Sequence, residues 1–130
     1  MKSDKQRILL CDDDVTLLAV VDELLRENQF EIDCAVSLEE AKDLLKFRKY
    51  DAIITDYNLG NGDFGTQIHK LSNLPMMILT GGELDKGLLG ELVVQKPFDF
   101  TTFIDAVKEL CSPTPTDTNA GSIVVYHKIA

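Results

Sequence analysis

Long hydrophobic runs are missing from this chain: no apolar stretch approaches the ~20 residues that a helix needs to cross a bilayer. The opening MKSDKQR is polar, and the apolar segment that marks a secretory signal does not follow it. The expected location is the cytoplasm. Cysteine is scarce and odd in number. Cys11, Cys34 and Cys111 lie far apart in apolar or helical surroundings, which leaves neither a disulfide framework nor zinc-ligand spacing, only reduced core thiols. Positive charge is short as well, with 13 Lys and Arg against 22 Asp and Glu and a formal net charge of -9. That balance disfavours nucleic acid or an anionic membrane as the main partner and suits a basic protein surface or a metal cation. His69 and His127, the two histidines, stand apart from the acidic clusters, and no internal repeat is visible.

What the chain does have is enough apolar residues for a single core: 45% of 130 residues. Apolar runs of strand length recur at 8–11, 30–36, 52–55, 76–79 and 92–94, and runs that are apolar throughout suit strands covered on both faces. Helix patterns lie between them. In VTLLAVVDELLREN, Leu17, Leu18, Val21, Leu24 and Leu25 make one apolar stripe. Ser37 with Glu40 is a capping-box signature that predicts a helix over 38–49, and Asp99 is a plausible N-cap for one over 100–110. The segments 65–71 and 83–89 are shorter and weaker. Strand and helix thus alternate five times, which predicts an α/β fold with a doubly wound five-stranded parallel sheet. Beyond Cys111, SPTPTDTNAG reads as a linker and SIVVYHKIA as a short extra strand, so the expected division is one domain over 1–111 and a tail over 112–130.

In such a sheet, polar residues that follow the central strands share one cleft. Asp12 and Asp13 follow the first strand, Asp56 the third, Thr80 the fourth and Lys96 the fifth. Clustered carboxylates raise one another's pKa unless a cation is present, and oxygen-only ligands suit a hard ion such as Mg²⁺. An ammonium and a hydroxyl add what a phosphoryl group needs, charge neutralisation and hydrogen-bond donors. The set reads as phosphoryl chemistry on an aspartate.

The segments LLCDDD, YDAIITDYNLGNGDFG, MMILTGG and VVQKPF, in that order and each at a strand end, resemble the receiver domain of two-component response regulators over about residues 7–110. The resemblance implies a flavodoxin-like (βα)5 fold with Asp56 as phosphoacceptor. It implies Asp12, Asp13, Asp56 and the backbone carbonyl of Asn58 around Mg²⁺ or Mn²⁺. Thr80, Gly81 and Lys96 would then serve the phosphoryl group, and Lys96-Pro97 would be the family's cis bond. The donor implied is a histidine kinase or a histidine phosphotransfer protein. Output would pass by protein contact to a target that the sequence does not identify, with homodimer formation left open and no enzymatic turnover beyond self-phosphorylation and self-dephosphorylation. No effector domain follows Leu110, which fits a stand-alone regulator or a receiver cut from a longer kinase.

Several departures bear on output. Val93 occupies the place of the family's aromatic switch residue, Gly60 replaces the common proline of the loop after the acceptor, and Phe64 stands where a glycine is usual. Asp56 to Thr80 spans 24 positions and Thr80 to Lys96 spans 16, both short for the family, which predicts shortened third and fourth helices. Two rival readings share these residues. Asp12, Asp14 and Thr16 are similar to the first motif of haloacid-dehalogenase-like phosphatases, with Asp12 as nucleophile and Asp14 as general acid/base. That reading leaves Asp56 without a role and lacks the further acidic pair after Lys96. The other rival is a pseudo-receiver that docks partners without phosphorylation. Asp14 otherwise reads as a helix N-terminal carboxylate.

Overall fold

The computed structural model describes residues 5–81, 92–96, 99–111 and 124–126. Strand β1, Arg7–Cys11, is buried at four of its five positions and lies between β2, Glu31–Ala35, and β3, Ala52–Asp56, parallel to both. β6, Met76–Thr80, pairs with β3, and β7, Leu92–Gln95, pairs with β6, again parallel. These are the five strands expected from the apolar runs, with ends moved by a residue or two. A sixth strand, β8, Val124–Tyr126, lies parallel to β7, so the sheet order is β2-β1-β3-β6-β7-β8.

Period-2 alternation feeds two cores. Ile8 and Leu10 face one side with Leu18, Val21 and Leu25 of α1, Val15–Glu27, and with Phe103 and Val107 of α3, Phe100–Leu110. Leu9 and Cys11 face the other, with Leu38 and Ala41 of α2, Leu38–Phe47, and with Ile68 of a 3₁₀ helix over Gly65–Leu71. Each fully buried aliphatic side chain contributes about 1.5–3 kcal/mol, so these two layers hold the sheet.

Local signals set the helix starts. Asp14 accepts from the backbone N–H of Thr16 at 3.0 Å and of Leu17 at 3.2 Å. Ser37 Oγ accepts from Glu40 N at 3.1 Å, while Glu40 Oε1 reaches back to Val36 N at 3.0 Å. Asp99 Oδ1 accepts from Thr102 N at 2.7 Å. α2 stops two residues earlier than the pattern predicts because Arg48 turns extended, φ -135°, and hands the chain toward Tyr50, whose hydroxyl donates to Asp33 at 2.7 Å. The third helix is a 3₁₀ segment, as its shortness foreshadowed. The fourth, over 83–89, and the Lys96-Pro97 bond lie outside the described residues.

One element had no counterpart in the periodicity. β4, Asn58–Gly60, and β5, Asp63–Phe64, form an antiparallel hairpin straight after β3. Its turn residues Asn61 and Gly62 both have positive φ, 54° and 82°, the pair of left-handed residues that a two-residue type I′ turn requires. The strand order reverses between β1 and β3, so the crevice where such sheets bind ligands opens at the carboxyl ends of those two strands, beside this hairpin.

Candidate functional site

β1 continues into Asp12, whose N–H donates to the Ala35 carbonyl at 3.1 Å, holding the residue in line with the sheet. Asp12 is only 1% exposed. Its Oδ1 accepts from Asp14 N at 2.9 Å, but Oδ2 is buried with no hydrogen-bond donor among the described residues. Asp13 is exposed at the rim. Asp56 ends β3, half-sheltered, and the next N–H, of Tyr57, extends the ladder to the Leu79 carbonyl at 2.7 Å. One oxygen from each of Asp12, Asp13 and Asp56 lies within 4.8 Å of the others.

β7 supplies the cation. Lys96 N donates to the Thr80 carbonyl at 2.7 Å, and its Nζ donates to Asp56 Oδ1 at 2.9 Å. The same Nζ lies 3.6 Å from Asp12 Oδ2, an ion pair beyond hydrogen-bond reach. Thr80, the last residue of β6, is 3% exposed. Gly81 is exposed, and a Cβ there would meet nothing closer than Lys96 Cβ at 3.9 Å. The backbone thus gathers Asp12, Asp13, Asp56, Thr80, Gly81 and Lys96 at the carboxyl edge of four neighbouring strands.

Charge and burial conflict at this edge. Burial pushes the carboxyl pKa of Asp12 up, helped by Asp56 and Asp13 and opposed by the Asp14 N–H and Lys96. Burial also raises Asp56, against the Lys96 hydrogen bond and charge. For Lys96 the burial acts downward, yet the Asp56 hydrogen bond and the charges of Asp12 and Asp56 outweigh it, and its pKa ends above the ordinary value. Lys96 therefore stays charged at neutral pH and neutralises one of three carboxylates. The remaining negative charge, an all-oxygen donor set and an orphaned Asp12 Oδ2 fit a hard divalent cation.

The hairpin is the part of the site that periodicity missed. Gly60 has φ 82°, and a Cβ on it would stand 3.1 Å from Asp13 Oδ2. Gly65, one position beyond Phe64, donates its N–H to the Tyr57 carbonyl at 2.8 Å, and a Cβ there would collide with the Asp56 carbonyl and sit 2.6 Å from Thr55 Oγ1. Tyr57 and Phe64 rings pack with centroids 5.2 Å apart, and Leu59 is buried in the core cluster against which Tyr57 packs. It is at Gly65, one position beyond Phe64, that the chain presses against β3. Asn61-Gly62, the strongest short-range hairpin signal, was available in the sequence. Asn58 opens β4, its Oδ1 accepting from Gly60 N at 2.9 Å. Asp14 is engaged as the α1 cap. Val93 is fully buried in β7.

Among the described residues, no helix is long and apolar enough to cross a membrane. Compared with known families, residues 8–108 match the response regulator receiver domain. Among solved structures, the chain is similar to the non-phosphorylated HemR receiver domain from Leptospira biflexa, at 26% identity and a TM-score of 0.74 over 86% of this chain and 98% of that one. It is also similar to a two-component response regulator from Clostridium difficile, at 25% identity and a TM-score of 0.74 over 82% and 95%. A CheY-like receiver domain protein from Methanospirillum hungatei JF-1 shares the fold at 21% identity, with a TM-score of 0.75 over 82% and 93%.

Proposed function

The chain belongs to the response regulator receiver domain family, and from that premise we propose that it accepts a phosphoryl group on Asp56 from a histidine kinase or histidine phosphotransfer protein in the cytoplasm. The observation that carries this reading is the convergence of Asp12, Asp13 and Asp56 with the Lys96 ammonium, 2.9 Å from Asp56 Oδ1.

In the proposed step a carboxylate oxygen of Asp56 attacks the phosphorus of the phosphohistidine. The new P–O bond forms as the P–N bond breaks, and the electron pair leaves on the imidazole nitrogen. Asp56 must be ionised to attack. Burial opposes this, and the Lys96 hydrogen bond favours it. After transfer, Lys96 offsets charge on the acyl phosphate, and the Thr80 hydroxyl, at the adjoining strand end, serves as a donor to a phosphoryl oxygen. Gly81 leaves the approach open, since no side chain projects there. Asp12, Asp13 and Asp56, with the Asn58 carbonyl, are the residues that would hold Mg²⁺ or Mn²⁺, which when bound supplies charge neutralisation for the transferred group. Acyl phosphate formation then biases a two-state equilibrium through Thr80, and output passes by protein contact.

Incubation of the protein with a small-molecule phosphodonor and Mg²⁺, followed by intact mass measurement, tests the proposal. One phosphoryl group gained by the wild type and none by Asp56→Asn is the expected result. A chain that neither binds Mg²⁺ nor gains a phosphoryl group would be a docking module. Turnover of a phosphomonoester that survives Asp56→Asn and is lost in Asp12→Asn would point to the phosphatase chemistry, although Asp14 is already committed to the α1 cap.

A further inference from the structure

Positive charge is scarce in this chain, yet four of its 13 cationic side chains meet in one place. Lys5 and Arg7 stand at the amino end of β1, Arg26 in the last turn of α1 and Arg48 just after α2, and together they line a cavity of about 400 Å³ beside the start of β2. Ligand pockets span ~300–1,000 Å³, so the space suits a small molecule better than a bare ion. Arg7 and Glu31 pair at the amino ends of their strands, whereas Asp12 and Asp56 lie at carboxyl ends. A five-residue strand is ~16 Å long, which keeps this cavity apart from the phosphoacceptor edge.

These donors are held in place but not used up. Arg26 Nε donates to Asp22 Oδ1 at 2.8 Å and Nη2 to the Ile32 carbonyl at 2.7 Å, which fixes the guanidinium plane. Arg7 donates from Nε at 3.3 Å and from Nη2 at 2.9 Å to a single oxygen, Glu31 Oε2. Arg48 is half-exposed and lies 3.6 Å from Asp33 Oδ2, an oxygen that already accepts from the Tyr50 hydroxyl at 2.7 Å. Among the described residues the Arg48 guanidinium therefore makes an ion pair but no hydrogen bond. Ion pairs this exposed are weak, and a better-matched anion displaces them readily.

Glu31 and Asp33 are the acidic residues of the lining, so an excess of positive charge remains there. At physiological salt the fields of exposed charges fade over ~8 Å, and a ligand in the cavity meets that local excess rather than the net charge of -9. The cations approach from three parts of the chain and not in one plane. A carboxylate offers two coplanar oxygens, whereas a phosphate group offers oxygens arranged tetrahedrally and accepts from several sides, so the arrangement favours phosphate. We propose that this cavity binds a phosphorylated small molecule of the sugar-phosphate class, with its phosphate on Arg48 and Arg26, Lys5 and Arg7 adding charge, and its hydroxyls donating to Glu31 and Asp33. The site needs no metal and works independently of phosphotransfer to Asp56.

The test is a titration of the metal-free full chain, followed by amide NMR at about 0.1 M salt, with ribose 5-phosphate, ribose and inorganic phosphate as probes. Ribose 5-phosphate is expected to shift the amides of Arg7, Arg26, Ile32 and Arg48 saturably and to leave those of Asp56 and Lys96 in place. Ribose is expected to give no saturable shift, and inorganic phosphate to bind more weakly than the sugar phosphate. Arg48→Gln, at a half-exposed position without a hydrogen bond among the described residues, is expected to keep the remaining spectrum and to weaken ribose 5-phosphate by at least ~10-fold. No shift at the cavity, shifts confined to Asp56, Thr80 and Lys96, or unchanged affinity in Arg48→Gln overturns the proposal. Inorganic phosphate binding as tightly as ribose 5-phosphate would mark an adventitious ion only and overturns it too.

Discussion

Among the described residues, Asp12 keeps a buried carboxylate oxygen without a hydrogen-bond donor, beside two other carboxylates and a lysine that reaches it only at 3.6 Å. A buried unsatisfied polar atom costs about 1–3 kcal/mol, and here like charge adds to it. Asp12→Asn is therefore expected to raise the melting temperature of the metal-free protein, by on the order of 1 kcal/mol in stability. The same substitution is expected to weaken Mg²⁺ binding by at least ~10-fold. Melting curves with and without Mg²⁺ check both signs, and a destabilised metal-free variant would contradict the repulsion argument. The thiols give a second residue-scale expectation. Burial pushes Cys11 up to about 12 and Cys111 up to about 11, both inside the core. Cys34 is exposed, but burial of its sulfur and the nearby Asp22 also raise it, to about 11. At pH 8 little thiolate exists at any of them. Native alkylation followed by mass mapping should label Cys34 alone and slowly, with Cys11 and Cys111 reacting only after denaturation.

At the scale of elements, the hairpin over residues 58–64 and the residue after it tie β3 to the rim of the site through two glycines with different constraints, Gly60 and Gly65. Gly65 has no room for a Cβ beside the Asp56 carbonyl and Thr55, so Gly65→Ala must push strand and hairpin apart, at a cost of about 1–3 kcal/mol, read as a lowered denaturant midpoint. Gly60→Ala meets a positive φ and Asp13 Oδ2 together, and is expected to impair Mg²⁺ binding more than stability. Calorimetric titration with Mg²⁺ beside urea unfolding separates the two variants. The hairpin also shows where sequence reading stops. Five strands and α1, α2 and α3 were legible because apolar runs, a capping box and an aspartate N-cap act within a few residues. The cluster of Asp12, Asp13, Asp56, Thr80 and Lys96 was legible because topology alone brings strand ends together. Gly65 was not, since its need arises from a carbonyl that lies nine positions earlier in the chain and meets it only after folding. α2 ended early for a similar reason, the tertiary hydrogen bond from Tyr50 to Asp33 drawing the chain away.

Over the whole molecule, a net charge of -9 and an acidic cluster make stability depend on pH and cations in a defined direction. Asp12 and Asp56 bind protons more readily folded than unfolded, so metal-free stability falls as pH rises from the ordinary carboxylate range through their raised folded values. Lys96, raised in the fold, contributes stability that is full at neutral pH and lost only as pH climbs through its folded value. The metal-free protein is accordingly expected to melt higher in weak acid than at neutrality. Millimolar Mg²⁺ should lift the neutral curve, and a chelator should reverse that lift. A melting temperature indifferent to Mg²⁺ at neutral pH would argue against cation binding by the cluster. The reacting carboxylate is identified by locating the phosphoryl group itself. Protein treated with a phosphodonor and Mg²⁺ is reduced with borohydride, which converts an aspartyl phosphate to homoserine, and its peptides are sequenced by mass spectrometry. Homoserine at position 56 and at no other aspartate is the predicted result; homoserine at 12, 13 or 14, or none anywhere, would contradict it.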